Sequence, residues 1–558
     1  MYLNSYDEVE RLTKEMVKIP SVVKTSGEED VARYIYDYYK DIEYFKENKD
    51  HLVIQETIDD EIERYNTIAM VRGKKPSNKT IILMGHIDTV GVEDFMELKD
   101  YAFEPDKLIE GLKKMKLSED IMKDIESGDY MFGRGALDMK SGVAGHMYLM
   151  KHFAEYRDEL EGNVIAIAEC DEEDNSHGII SALKILKKWK EEYQLEYIAA
   201  INADYSTPYH DKDENRYIYF GTIGKLLPSI FVTGKETHVG QAFGGFNPNS
   251  LIAEINRNIE LNPELCDISH GEVTVPPTSL KQRDTKVGYT VQTPLSAYSY
   301  YNFFTHSMTP KDVIEKVKYK VKLSFDKTIE DLNQSYMKYC ELGNHVYTKL
   351  PWESRVYTWE EFYNELYTIH GERFDIYLHN FSVELHKSNP SMDLRDFSVT
   401  VIQEALKWSI DKSPLAIIYY SSLFSSRIEV SGKNEEEAQL IDAVDQSIDF
   451  VKDYSDKPIV KKMFYPYISD SSFMSISDDL EDINSLKYNM PSWGTKYRHP
   501  IEDIMEINVP VVNIGTFGKD GHKLTERVHK KYTFENIPNI SYRTIKNLFK
   551  SYEEGSDG

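Results

Sequence analysis

Apolar residues recur at helical spacing in two early stretches. Val9, Leu12, Met16 and Ile19 do so within residues 5–19, and Val31, Ile35, Tyr38 and Ile42 within 27–42. Both stretches predict amphipathic helices. Three short, β-branched runs follow, HLVIQ (51–55), NTIAMV (66–71) and TIILMGH (80–86). Polar turns bound each one, so they predict strands. A helix SGVAGHMYLMKHF (141–153), a strand NVIAIAE (163–169), a helix GIISALKILKKW (178–189) and a strand YIAAIN (197–202) then alternate. That alternation predicts an α/β fold, a layered sheet with helices on both faces.

The rhythm changes near residue 212. YIYFGTIGKLLPSIFVTG (217–234) predicts two strands around a turn, and NPNSLIAEINRNIEL (247–261) a helix. LSAYSYYNFFTH (295–306) alternates as a strand does. Residues 309–332 predict a helix with Pro310 at its start. This is an α+β unit inserted into the first domain. Residues 333–415 are rich in tyrosine, tryptophan and charge and predict mostly helix, PLAIIYYSSLF (414–424) a further strand, and Glu435–Val451 a helix. The expected division is 1–212 and 431–558 for one domain, with 213–430 inserted.

At 558 residues the chain exceeds the roughly 100–200 residues of one domain, which agrees with that division. Its 66 basic residues against 94 acidic ones give a net charge of −28. A nucleic-acid or anionic-membrane surface needs clustered lysine and arginine, so neither is expected as a partner. Three scattered cysteines form no CxxC pair, which leaves no cysteine zinc site and no disulfide framework. The opening MYLNSYDEVERLTKEM carries acids where a secretory signal needs a basic and then an apolar run. The expected location is the cytoplasm.

Chemistry-bearing residues cluster where the predicted strands end. His86 and Asp88 lie in GHIDTV (85–90), directly after an apolar strand. Asp88 is placed to face the ring nitrogen that a bound metal would leave free. A structural His–Asp pair in a turn is the plain alternative. FGRGALDMKSGVAG (132–145) puts Asp138 at a loop–helix junction, where a carboxylate bridges two cations or caps a helix. AECDEEDNSHG (168–178) follows a strand with four acids, a solvated loop in most chains. Here Glu172 and Glu173 point in different directions and are free to do different jobs. Asp204 follows YIAAIN, and His522 sits in GKDGHKLTERV (518–528), a surface loop if read alone.

Taken together, His86, Asp138, Glu173, Asp204 and His522 are nitrogen and oxygen ligands without a thiolate. Such a set suits two divalent ions, zinc first, with cobalt and manganese as alternatives. Two dications against three carboxylates and one hydroxide make a neutral cluster that can be buried without a large Born penalty. Glu172, the spare carboxylate, is the natural general base.

These strings, in this order, resemble the di-zinc metallopeptidase family of aminoacylase, carboxypeptidase G and succinyl-diaminopimelate desuccinylase. GHIDTV looks like its HxD segment, GRGALDMKSG like its most recognisable string, and DEED like its paired-glutamate segment. The resemblance implies a mixed-sheet α/β/α catalytic domain of zinc-exopeptidase type with an inserted, here enlarged, α+β lid. It implies that His86, Asp138 and Asp204 hold one metal and that Asp138, Glu173 and His522 hold the other. Asp88 would orient His86, Glu172 would be the base, and the Asp138–Met139 peptide would be cis. GKETHVG (234–240) matches the lid motif GxxxHxG, which gives His238 an oxyanion role. YISDSSF (467–473) looks like the family's Asp-containing segment near substrate, which makes Asp470 a substrate-binding candidate. The C-terminal string NIGTFGKDGHKLTERVHKKYTFE (513–535) looks most like the family's arginine-utilisation branch. The implied activity is hydrolysis of the amide of an N-acyl amino acid or short peptide, in a homodimer formed through the lid. Two departures stand out. The strand AYSYYNFFTHS (297–307) lacks the arginine that family lids offer a substrate carboxylate, so Arg427 or Lys487 becomes the candidate. Residues 333–430 exceed the usual lid. Both favour, as the second reading, a non-catalytic binding or regulatory relative.

Overall fold

The computed structural model describes residues 2–554. By its contacts the chain divides into two units. The first comprises the chain up to Thr222, Ile428–Ile476 and the part from Pro500 on; the second comprises Ile223–Arg427 and Ser477–His499. The strand Arg216–Thr222, expected in the insertion, thus belongs to the first unit, and Ser477–His499, expected in the closing segment, to the second.

The first unit is built on a nine-stranded mixed sheet. Its order is Leu52–Glu56, Tyr65–Arg72, Asn163–Glu169, Lys79–His86, Glu196–Asn202, Val511–Asn513, Arg216–Thr222 and Ile428–Glu429, with Ile459–Lys462 also on Arg216–Thr222. Lys79–His86 runs parallel to both Asn163–Glu169 and Glu196–Asn202, and Val511–Asn513 runs parallel to the latter. Every residue of Asn163–Glu169 is buried, as expected of a central strand covered on both faces. The helix Ser141–Glu155 is apolar nearly all round and lies deep in the core, whereas Tyr6–Val17 buries only a stripe of Val9, Leu12, Met16 and its neighbours. Because three neighbouring strands are parallel, their carboxyl ends share one edge. His86, Glu169 and Asn202 close those strands.

The second unit holds a five-stranded sheet in the order Thr278–Asp284, Ser296–Thr305, Gly224–Thr233, Leu415–Ser425, Val356–Thr358. The expected helix at 309–332 runs on to Gly343 and begins in a capping box between Thr309 and Asp312. The tyrosine- and tryptophan-rich stretch forms three helices, Trp359–His370, Glu372–Ser388 and Leu394–Leu406. They close an apolar core of Trp359, Phe362, Phe374, Phe397 and Ile402 over Phe231, Tyr298, Ile417 and Tyr419 of the sheet.

Candidate metal centre and active site

Each candidate ligand of the first unit stands on a turn at the carboxyl edge of the sheet, where open α/β sheets gather their ligands. His86 ends its strand. Asp204 lies two residues beyond Asn202. Asp138 lies in the turn before the helix Ser141–Glu155, and its peptide bond to Met139 is cis. His522 comes from the turn between the paired short strands Gly518–Lys519 and Arg527–His529. The segment that leads there from Val511–Asn513 passes so close to the Asp204 turn that a Cβ at Gly515 would sit 1.6 Å from the Asp204 carbonyl oxygen.

Asp138 is the hub. One of its oxygens lies 2.9 Å from His86 Nε2 and the other 2.8 Å from His522 Nε2. His522 Nε2 also lies 3.0 Å from Glu173 Oε1. His86, Asp138 and Asp204 form one set whose ligand atoms all fall within 4.8 Å of one another, and Asp138, Glu173 and His522 form a second. All five predicted ligands therefore come together, with Asp138 common to both sets.

The donor chemistry of this cluster fits two cations. His86 Nδ1 lies 3.2 Å from the Asp88 carbonyl oxygen. An imidazole that donates there turns an Nε2 lone pair toward the Asp138 carboxylate, and two lone pairs in contact repel unless a cation or a proton separates them. Burial opposes charge on His86, but Glu172, Asp138 and Asp88 outweigh it and hold His86 well above its ordinary range. The bonds to Asp138 and Glu173 push His522 up to about 10. Burial, then the charge of Asp138, pushes Asp204 up to about 7. The centre is short of positive charge.

Glu172 stands apart from the ligand sets, its carboxylate 3.9 Å from His86 Nε2. Burial raises its proton affinity well above the carboxylate range; His86 opposes this, and Glu173, Asp470 and Asp204 add to it. Asp88 does more than face His86. Its carboxylate lies 3.6 Å from His86 Nδ1 and accepts the backbone N–H groups of Glu172 and Glu173 at 3.2 and 3.0 Å. One buried side chain thus ties the histidine strand to the paired-glutamate loop. Asp470, 3% exposed, keeps one carboxylate oxygen without a hydrogen-bond partner among the described residues. Burial first pushes it up to about 7. Its turn is pinned by Asn202, which donates to the hydroxyls of Ser469 and Ser471.

In the second unit, His238 is exposed and its Nδ1 accepts the Gly240 N–H at 3.0 Å. Arg427 is buried, and its Nε and Nη2 both meet Asp478 at 2.9 Å. A substrate carboxylate would compete with that ion pair. Lys487, the other candidate, lies over the ring of Trp493.

Several supporting residues escaped the sequence reading. Glu526 is buried, accepts the Leu137 and Asp138 N–H groups, and pairs with buried Arg134 at 2.5 Å. Both occur in the strings already singled out, GRGALD and GHKLTERV, and that proximity was the available signal. Arg64 pairs with Asp60 at 2.9 Å and with Asp171, the residue before Glu172. Its link to the glutamate loop left no signal, because Asp171 is distant in the chain. Glu169, which ends its strand, is a further buried acid beside Asp470.

Residues 82–480 match peptidase family M20/M25/M40. The chain belongs to that family. It is 35% identical to Protein RocB of Bacillus subtilis (strain 168) over 99% of its own length and 96% of the relative's. It is 30% identical to the uncharacterized protein YqjN of the same organism over 98% and 97%. A succinyl-diaminopimelate desuccinylase of Wigglesworthia glossinidia brevipalpis is 26% identical over 32% of this chain and 43% of that one. Among solved structures, aminopeptidase PepT from Bacillus cereus ATCC 10987 matches with a TM-score of 0.52 at 11% identity, covering 97% of this chain and 98% of that one. The M20 family metallo-carboxypeptidase Sso-CP2 from Sulfolobus solfataricus matches at 0.50 and 14%, covering 97% and 99%. The fold is the expected mixed α/β one, and the chain is a hydrolase of the metallopeptidase class. No helix among the described residues is long and apolar enough to cross a membrane.

Proposed function

We propose that this hydrolase cleaves the amide bond of an N-acyl amino acid or short peptide, using two divalent ions, zinc first. The observation that carries the reading is Asp138, whose two oxygens each face one histidine of the two ligand sets. His86, Asp138 and Asp204 would hold one ion, and Asp138, Glu173 and His522 the other. When bound, such ions polarise a carbonyl oxygen and lower the pKa of water toward neutrality.

The remaining work falls to side chains. Asp88 holds His86 in one orientation and fixes the two glutamate N–H groups, so Glu172 and Glu173 keep separate directions. Glu172 accepts a proton from the attacking water at a carboxylate oxygen and delivers it to the leaving nitrogen. His238 takes the oxyanion role that the resemblance gives it. Asp470, with its open oxygen, is assigned to substrate binding. The finer reading places the substrate in arginine utilisation. The whole-length similarity to RocB and the net charge of −28, which favours cationic substrates, support it. A homodimer through the second unit and a cytoplasmic location belong to the same proposal. Thr278–Asp284, at the edge of its sheet, is the strand available for such pairing.

The test is release of primary amine from a panel of N-acyl amino acids and dipeptides, weighted toward arginine and ornithine. Arginyl and ornithyl compounds ranking no better than neutral ones would reject the arginine link. Silence across the panel, with two metals verified bound, would favour the non-catalytic reading.

A further inference from the structure

Lys225 stands on the strand Gly224–Thr233, opposite Phe304 on one neighbouring strand and Ser425 on the other. Strand alternation puts it on the same face as Phe231, which the three extra helices cover. Lys225 itself is only half-buried. Among the described residues no carboxylate lies within 4.0 Å of its ammonium group, and no hydrogen bond engages it. Burial, and then the charge of Arg395, pull its pKa down, and no acid offsets them. Lysine is rarely withdrawn from water without a partner, because the charge loses its hydration.

Arg395, from the first turn of Leu394–Leu406, reaches the carbonyl oxygen of Ser422 at 3.5 Å. There the pairing with Gly224–Thr233 shifts register, between Ser421 and Ser425. Asp393 pairs with Arg395 and balances its charge. The hydroxyls of Ser422 and Ser426 are fully buried in this segment and have no hydrogen-bond partner among the described residues. This corner of the sheet thus holds one uncompensated positive charge, on Lys225, beside a guanidinium.

We propose that Lys225 and Arg395 form a binding site for a single carboxylate group of a small molecule. A monoanion cancels the one excess charge, and a carboxylate suits the planar guanidinium fork. Two sources share this chemistry: the substrate's own carboxylate, or a free acid that binds independently of turnover. Only the first source rests on the hydrolase reading.

The experiment uses the metal-loaded Glu172→Ala protein, which holds ligands without consuming them. Calorimetric titration compares N-acetylglycine with its neutral twin N-acetylglycinamide. The acid should bind about tenfold tighter or better. Lys225→Met should erase that preference and Lys225→Arg should keep it, with unchanged circular dichroism in both. Equal binding of acid and amide before substitution, or a preference that survives Lys225→Met, overturns the site. In active enzyme, a substrate source makes Lys225→Met raise KM about tenfold for acids only, with kcat nearly unchanged. A free-acid source leaves KM in place, and Lys225→Met then abolishes the calorimetric binding of acetate that the unsubstituted protein shows. Absence of hydrolysis with the binding preference intact would remove the hydrolase reading and leave the site standing. Hydrolysis by the wild type with the preference intact in Lys225→Met would remove the site alone.

Discussion

Around the turns at the sheet edge of the first unit, Asp138, Glu169, Glu172, Glu173, Asp204, Asp470 and Glu526 face two histidines and Arg134. Acids outnumber bases, and burial pushes Glu172 and Asp204 toward protonation. Around Lys225 in the second unit the imbalance is reversed: a cation is half-buried, and no acid lies within ion-pair distance among the described residues. Neither arrangement is comfortable alone, because uncompensated buried charge costs several kcal/mol per ion. The difference teaches which sign of ligand each place is built to take. On the proposed reading the first place takes cations on five side chains, among which Asp88 fixes the backbone of Glu173 and Glu526 that of Asp138. The second takes one anion, on Lys225, which no acid engages among the described residues, beside Arg395, whose own charge Asp393 balances.

The predictions probe that contrast, and the largest effect belongs to the first place. Glu172→Ala should lower kcat by about a thousandfold or more while metal content, read by plasma mass spectrometry, stays that of the wild type. Near-wild-type turnover would remove Glu172 as the proton carrier. His86→Ala and Asp138→Asn should each lower metal content, Asp138→Asn at both positions because the hub serves both sets. Unchanged stoichiometry in both variants would show that the acid excess is not there for metal. Arg134→Met strips the partner from buried Glu526 and should cost about 3–5 kcal/mol in denaturant unfolding. A loss under about 1 kcal/mol would mean that the Asp138 turn is held by other contacts. The smallest effect is in the second unit. Lys225→Met changes acid-over-amide preference by about tenfold and should leave the metal content of the first unit as it was.

The two places also differ in how much of them the sequence discloses. His86, Glu172, Glu173 and Asp204 follow apolar strands within a few residues, and Asp138 lies among glycines that permit its turn. Such chemistry is local, so a short string carries it. The alternating strands and helices of the first unit are legible for the same reason, and Asn163–Glu169 and Glu435–Val451 have the expected bounds. Arg427, in contrast, looks free in the sequence, and only the fold brings Asp478 against it. Lys225 and Arg395 are far apart in the chain, and only the fold brings the charge of one to bear on the other, which leaves no string behind. The edge strand Thr278–Asp284 carries an irregular, largely polar pattern and was not expected as a strand at all. Helix was expected on both sides of residue 332, but not that Pro310–Gly343 is one continuous helix, because its second half faces mostly solvent and shows little apolar periodicity.

The most direct test of the central claim is amine release by the metal-loaded protein across the acyl-amino-acid and dipeptide panel, with Glu172→Ala as the blank. Release by the wild type that the blank lacks, at equal metal content, is the predicted result. Equal signals from both, or none from either with two ions bound, would contradict hydrolysis at the Asp138 centre with Glu172 as its base.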